Sequence, residues 1–344
     1  MKNHLFSENK CGLNFVAIGG GNGLSTLLSG LKKYVSAKTT GNVWLENLAA
    51  IVAVSDDGGS SGRLRDELQM LPPGDIRNCM VALSEDSHLL SKLFQYRFRG
   101  DGELGGHSFG NLFLAALSEI TGDFAEAVKL SSEILASKGR IYPATVCDVR
   151  LAAEIEDGSI VRGETNISKI GSLIKRLYLE PETCLPLPEA LAAIYDADVI
   201  TVGPGSLFTS LLPPLLVKGM PEAISESPAV KIFICNLMTQ PGETDGFSAK
   251  KHLEIVREYA PEIDFDYVIV NNYPISEEQL ARYASEGAKQ IGISDSISSE
   301  TVEGAEIVYG NLLNGKEKVR HQPDKLAQVV LLCALQRKSL LIER

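Results

Sequence analysis

The chain has 344 residues, 44% of them hydrophobic, and a formal net charge of -11. A chain of this length buries a large core without disulfide or metal staples, and its acidic balance excludes general binding to nucleic acid or anionic membrane, both of which need a basic footprint. Phosphorylated small molecules are not excluded, because backbone N–H groups at helix N-termini hold them whatever the global charge.

The opening stretch MKNHLFSENKCGLN lacks the apolar run of a secretory leader, and residues 1–14 read as a tail before a single domain over 15–344. The six cysteines are scattered and none forms a C-x-x-C pair, the pattern of buried thiols in a reducing compartment. Every long apolar stretch is broken short of a membrane span, so a cytoplasmic location is expected.

The first element is the apolar run NFVAI (14–18). It leads into Gly19-Gly20-Gly21-Asn22-Gly23 and then into a helical pattern. The strict dinucleotide fingerprint G-x-G-x-x-G fails here, because Leu24 stands where the third glycine belongs. A tight turn needs one glycine, and four in five residues cost backbone entropy. The cluster therefore predicts close approach of a phosphate to the amides of the helix start. The second run, LAAIVAV (48–54), ends in Asp56 and Asp57. Adjacent strand residues face opposite ways, so at most one points into a crevice, as a ribose ligand, a Mg²⁺ ligand or an acid–base group. A helix cap or turn is the competing role for either. Gly58 to Gly62 then predict a flexible lid, with Arg63 and Arg65 reaching for phosphate.

Helical periodicity dominates a helical excursion over about 75–140. Within it, His107 and Asn111 sit at the start of a helix in GHSFGNLFLAAL, where the helix terminus favours a neutral imidazole. No acidic or nucleophilic partner adjoins His107 in the sequence, so no catalytic residue is assigned. Residues 141–170 read as a small antiparallel β insertion turning at Asp157-Gly158. The run ADVITV (197–202) enters a second anion-type loop, in which Gly203 and Gly205 flank Pro204 and Ser206 can donate to phosphate. VKIFICNL (230–237) enters a long polar loop with Asn236 and Thr239, together with Gln240, Glu243 and Thr244, as candidates for base or sugar contacts. DYVIV (266–270) precedes Ser276, a helix cap, and an amphipathic pattern over 324–341 closes the chain. Short β-branched runs alternating with helices specify an α/β fold, a Rossmann-like, doubly wound, mainly parallel sheet. No P-loop, nucleophile elbow or zinc motif is present.

The strings AIGGGNGLSTLLSGL, VAVSDDGGSSGRLR, LPPGDIRNCMVAL, GHSFGNLFLAAL, VITVGPGSLFTSLLPPLLV and FICNLMTQPGETDGFSAKKH, in this order, resemble the gluconeogenesis factors of the YvcK type. These belong to the superfamily of CofD, the 2-phospho-L-lactate transferase of deazaflavin synthesis. The resemblance implies a nucleotide bound across a crevice built by the four loops, a UDP-sugar such as UDP-N-acetylglucosamine, and a role in cell shape and growth on gluconeogenic carbon. The transferase branch implies instead phospholactyl transfer from a guanylyl-activated donor to a deazaflavin, with Mg²⁺, for which Asp56 and Asp57 are the candidate ligands read from the sequence. NAD is a surrogate ligand for the same crevice. The expected partners are the small-molecule nucleotide, further copies of the chain and a protein acting in cell-shape control.

Overall fold

The computed structural model describes residues 11–35, 43–85, 88–169, 174–292 and 301–342. The strands are β1 (Cys11–Gly19), β2 (Val43–Val52), β3 (Arg140–Pro143), β4 (Arg150–Ile155), β5 (Ile160–Arg162), β6 (Ile174–Glu180), β7 (Val199–Val202), β8 (Val230–Ile234), β9 (Tyr267–Asn271), β10 (Thr301–Val302) and β11 (Ala305–Gly310). Eight of them form one sheet in the order β10-β11-β9-β8-β7-β1-β2-β3, and β5-β4-β6 form a second, antiparallel sheet. In the large sheet only the β10–β11 pair is antiparallel. It is an α/β fold with a mainly parallel sheet.

The apolar runs are continuous because both faces of the sheet are covered. Along β1, Leu13, Phe15 and Ala17 enter one buried layer, while Val16 and Ile18 enter the other, as the two-residue period of a strand requires. Helix α1 (Gly21–Leu31) lays Leu24, Leu27, Leu28 and Leu31 on the first layer. Each fully buried leucine contributes about 1.5–3 kcal/mol. The closing helix Pro323–Ile342 crosses α1 at Gly30, where a β-carbon would run into the Pro323 carbonyl.

The helical excursion comprises α2 (Gly59–Leu68), α3 (Gly74–Leu83), α4 (His88–Gln95), α5 (Phe109–Thr121) and α6 (Phe124–Ile134). Ser108 caps α5 by accepting the Asn111 N–H, and Asp123 caps α6 by accepting the Glu126 N–H. The short helix α7 (Glu164–Ile167) follows β5.

Four details differ from the sequence reading. Residues 11–14 are strand and not tail, because Leu13 is fully buried and pairs with Leu45; residues 1–10 lie outside the described residues. Arg140–Pro143 joins the edge of the large sheet beside β2 and not the insertion. The insertion runs on to Glu180, since β6 is the strand that β4 needs on its second edge. Gly58 to Gly62 are not a lid. Gly59 onward is the first turn of α2, and Ser60 and Ser61 are buried.

The chain leaves β1 toward β2 and β3 and returns on its other side at β7. Such a reversal of strand order opens a crevice at the strand C-termini. It places the loops after β1, β7 and β8 together.

Candidate functional site

The loop after β1 is shaped first by protein contacts. Gly21 has φ +61°, the left-handed region, and a β-carbon on Gly20 would lie 2.6 Å from Asp75 Oδ2. A β-carbon on Gly23 would collide with the Pro204 carbonyl. The glycine cluster therefore has a packing cause that the sequence reading assigned to a ligand alone: α1 starts against the 203–205 loop and over Asp75. The result is still a helix start opening on the crevice, with first-turn amides that have no intrahelical acceptor.

Two acids end the β2 run and they diverge. Asp56 Oδ1 accepts the Gly58 N–H at 2.8 Å. Asp57 Oδ1 accepts from Thr165 N at 2.9 Å and Thr165 Oγ1 at 2.7 Å, tying the large sheet to the insertion. Neither aspartate lines the crevice; Asp56 is coupled electrostatically to Asp75 and to Glu164, two acids that were missed in the sequence reading. Asp75, in the first turn of α3, accepts the Gly21 N–H. Burial, and then the neighbouring Asp56 carboxylate, push it from 3.8 to about 7, against the lowering pull of that N–H and of Arg77. Glu164, at the start of α7, is held well above the ordinary glutamate range by burial, then by Asp56 and Asp75. The signal available for Asp75 was an acid straight after Pro-Pro-Gly at a helix start. Nothing local marked Glu164, which reaches the crevice from the insertion.

The other loops converge as expected. Asn236 Oδ1 accepts the Gly205 N–H at 3.2 Å, joining the β7 and β8 loops, and Ser206 Oγ donates to Glu243 Oε2 at 2.8 Å. A crevice of about 600 Å³ lies between the first turn of α1, the Pro204–Ser206 loop, the Asn236–Met238 segment and Glu164. Its rim includes Val319, Arg320 and His321, from the C-terminal fifth in which no motif was found. His321 is buried and its imidazole is lowered to about 4 by that burial, opposed by a hydrogen bond with the Cys235 backbone. No Phe, Tyr or Trp ring lines this crevice among the described residues. Phe208 packs edge-on against Phe247, and Phe109 against Phe94.

Several sequence candidates lie elsewhere. His107 is buried with Nδ1 2.9 Å from Ser60 Oγ, which also accepts from Asn111 Nδ2 at 3.1 Å. His107 is lowered by burial and by Arg63, and it does not line the crevice. Thr239 exchanges two hydrogen bonds with the Lys289 backbone, each 2.8 Å, and anchors its loop. Arg65 is buried on Asp148 and the Val149 carbonyl, and Arg63 donates to the Gly105 carbonyl at 2.6 Å. Neither arginine lines the crevice.

No helix of the described residues is long and apolar enough to cross a membrane. The family model of 2-phospho-L-lactate transferase CofD matches residues 15–313. A gluconeogenesis factor of Halalkalibacterium halodurans is 46% identical, over 92% of this chain and 95% of its own length. The Bacillus subtilis gluconeogenesis factor is 43% identical, over 91% and 95%. A crystal structure of a UPF0052-family protein from Bacillus halodurans superposes with a TM-score of 0.86 at 45% identity, covering 93% of this chain and 99% of that one. The crevice loops after β1, β7 and β8 all fall inside the matched region, and the chain belongs to the CofD family, among its gluconeogenesis factors.

Proposed function

We propose that the protein is a nucleotide-sugar-binding factor, with a ligand of the UDP-N-acetylglucosamine type in the crevice, acting in the cytoplasm on cell shape during gluconeogenic growth. The observation that carries this reading is the lining of the crevice. First-turn amides of α1 suit a phosphate, and the neutral hydroxyl and amide groups of Thr26, Ser206, Thr209, Asn236 and Gln240 suit sugar and base edges. Its volume of about 600 Å³ lies within the range of small-molecule sites. The want of a Phe, Tyr or Trp face among its described lining residues speaks against stacking a deazaflavin there. The role in cell physiology rests on the family resemblance alone.

The second reading, a Mg²⁺-dependent transferase, is favoured by one observation, the crowding of Asp56, Asp75 and Glu164. Carboxylates that repel each other suit a hard cation. Among the described residues, however, no group of three His, Cys, Asp or Glu side chains is spaced to hold a metal. They fit Mg²⁺ only in the manner in which one or two carboxylates share it with waters and a substrate's phosphates. Bound there, it would neutralise phosphate charge beside Glu164, the member of this group that lines the crevice.

The test is a thermal-shift series with UDP-N-acetylglucosamine, GTP, GDP and NAD, with and without Mg²⁺. A ligand at one hundred times its Kd adds about 2.7 kcal/mol. Stabilisation by the UDP-sugar, recovered intact, supports the binding factor. Stabilisation by guanine nucleotide with Mg²⁺ and none by the UDP-sugar overturns it in favour of the transferase.

A further inference from the structure

A second cavity, of about 380 Å³, opens beside the nucleotide crevice on the other side of the α1 start, and the two share Asn22 and Thr26. Its chemistry is the reverse of the acidic crevice. Arg77 of α3 and Arg97, two residues beyond α4, line it with the hydroxyls of Ser25 and Thr26 and the amides of Asn78 and Gln95. No carboxylate lines it among the described residues, in a chain of net charge -11.

Neither arginine forms an ion pair among the described residues. Arg77 donates to Ser108 Oγ at 2.7 Å and to Asn78 Oδ1 at 2.6 Å, and its Nε is buried with no partner. Arg97 donates to the Gly106 carbonyl. All these acceptors are neutral. The aliphatic stem of Arg77 is held over Gly110, where a β-carbon would lie 2.8 Å from Cγ, so the guanidinium is fixed before any ligand arrives. Arg97 depresses the basicity of Arg77 after burial itself, which means that the two cations repel across the cavity. Asp75 and Asp56 offset that repulsion only in part and do not line the cavity, so an anion between the two guanidinium groups recovers the rest.

We propose that the Arg77–Arg97 cavity is an anion-binding site, separate from the nucleotide crevice, for a phosphate or carboxylate group of a small metabolite. Arg77, oriented by Ser108 and Asn78, supplies a fixed charge, and the exposed Arg97 closes on the anion from the rim. Through the shared Asn22 and Thr26, an anion here adjoins the start of α1 that the crevice uses. The site does not depend on what the crevice binds.

The experiment uses inorganic phosphate as probe, with the full chain, in a thermal-shift titration against chloride at matched ionic strength. Citrate in a parallel titration tells a carboxylate preference from a phosphate one. The expected result is a saturable stabilisation of the wild type by one of the two anions. Arg97→Gln, at an exposed position where folding is not at stake, should weaken the response about tenfold, as loss of one charge-assisted contact implies. Arg97→Lys should recover part of it, because charge survives and the planar fork does not. Absence of saturable stabilisation of the wild type by either anion overturns the proposal. So does an Arg97→Gln variant whose response equals that of the wild type, since the anion then binds elsewhere.

Discussion

Asp75→Asn separates the electrostatic cost of the crevice from everything else in the fold. The carboxyl is raised from 3.8 to about 7, and each pKa unit is about 1.4 kcal/mol between the two protonation states. A folded-state pKa above the unfolded value means that the native state binds the extra proton between pH 4 and 7. Stability therefore falls as pH rises through that window and stays low above it. The full penalty is about 4 kcal/mol for a group shut off from water, and roughly half that where solvent reaches it. Asparagine keeps an oxygen for the Gly21 N–H and carries no charge. The variant should match the wild type near pH 4 and exceed it at pH 8 by about 2–4 kcal/mol. Urea unfolding of both proteins at the two pH values measures this, and the difference between variants cancels every other titrating group. Added Mg²⁺ at pH 8 should narrow the gap by stabilising the wild type alone. A stability difference that is the same at pH 4 and pH 8 would refute the placement of an ionised Asp75 beside Asp56.

Four further outcomes follow from packing and burial. Gly23→Ala drives a methyl into the Pro204 carbonyl, so it should cost about 1–3 kcal/mol by chemical denaturation and weaken nucleotide binding with it. Gly21→Ala has room around it at φ +61°; it should cost only about 1 kcal/mol, with the larger loss in nucleotide affinity, and an unchanged affinity would remove this loop from the site. His321, lowered from 6.5 to about 4, stays neutral in the fold while the unfolded chain takes up a proton, so wild-type stability should fall by about 3 kcal/mol as pH drops from 6.5 to 4. His321→Gln should abolish that part of the acid limb, and an identical limb in the variant would contradict the burial of a neutral imidazole. Arg65→Met removes a buried guanidinium with two unpartnered nitrogens and leaves Asp148, which is largely exposed, to water. Stability should change by no more than about 1 kcal/mol, and a loss several times larger would show that the Arg65 hydrogen bonds hold the insertion in place.

The strands of the sheet were legible where the apolar run was continuous: 14–18, 48–54, 197–202, 230–237 and 266–270 coincide with β1, β2, β7, β8 and β9. The edge strand β3 and the outer strand β11 were not, since Arg140–Pro143 is short and Ala305–Gly310 buries only Ala305 fully. Of the site residues, Gly20, Gly21, Asn22, Gly23, Gly205, Ser206 and Asn236 come together in the crevice, while Gly19 and Gly203 do not line it. His107, Asn111, Asp57 and Thr239 had the same local appearance of polar groups at a helix start or strand end. Their hydrogen bonds go instead to Ser60, Thr165 and Lys289.

The sequence by itself determined the fold class, the family and the strand ends at which the polar loops gather. Those depend on periodicity and on loops next to strand ends, and both are properties of neighbouring residues. Only the tertiary structure decided which side chains share the crevice. Glu164 arrives from the antiparallel insertion and His321 from the last fifth of the chain, while Asp75 of the helical excursion packs under Gly20 and Gly21 at the start of α1. Each is brought in by packing between segments far apart in sequence, and that packing also converts ordinary carboxyl and imidazole groups into strongly shifted ones. The glycine loop shows the same division. Its composition announced close approach, and only the fold revealed that the Pro204 carbonyl and Asp75 are among the groups that approach.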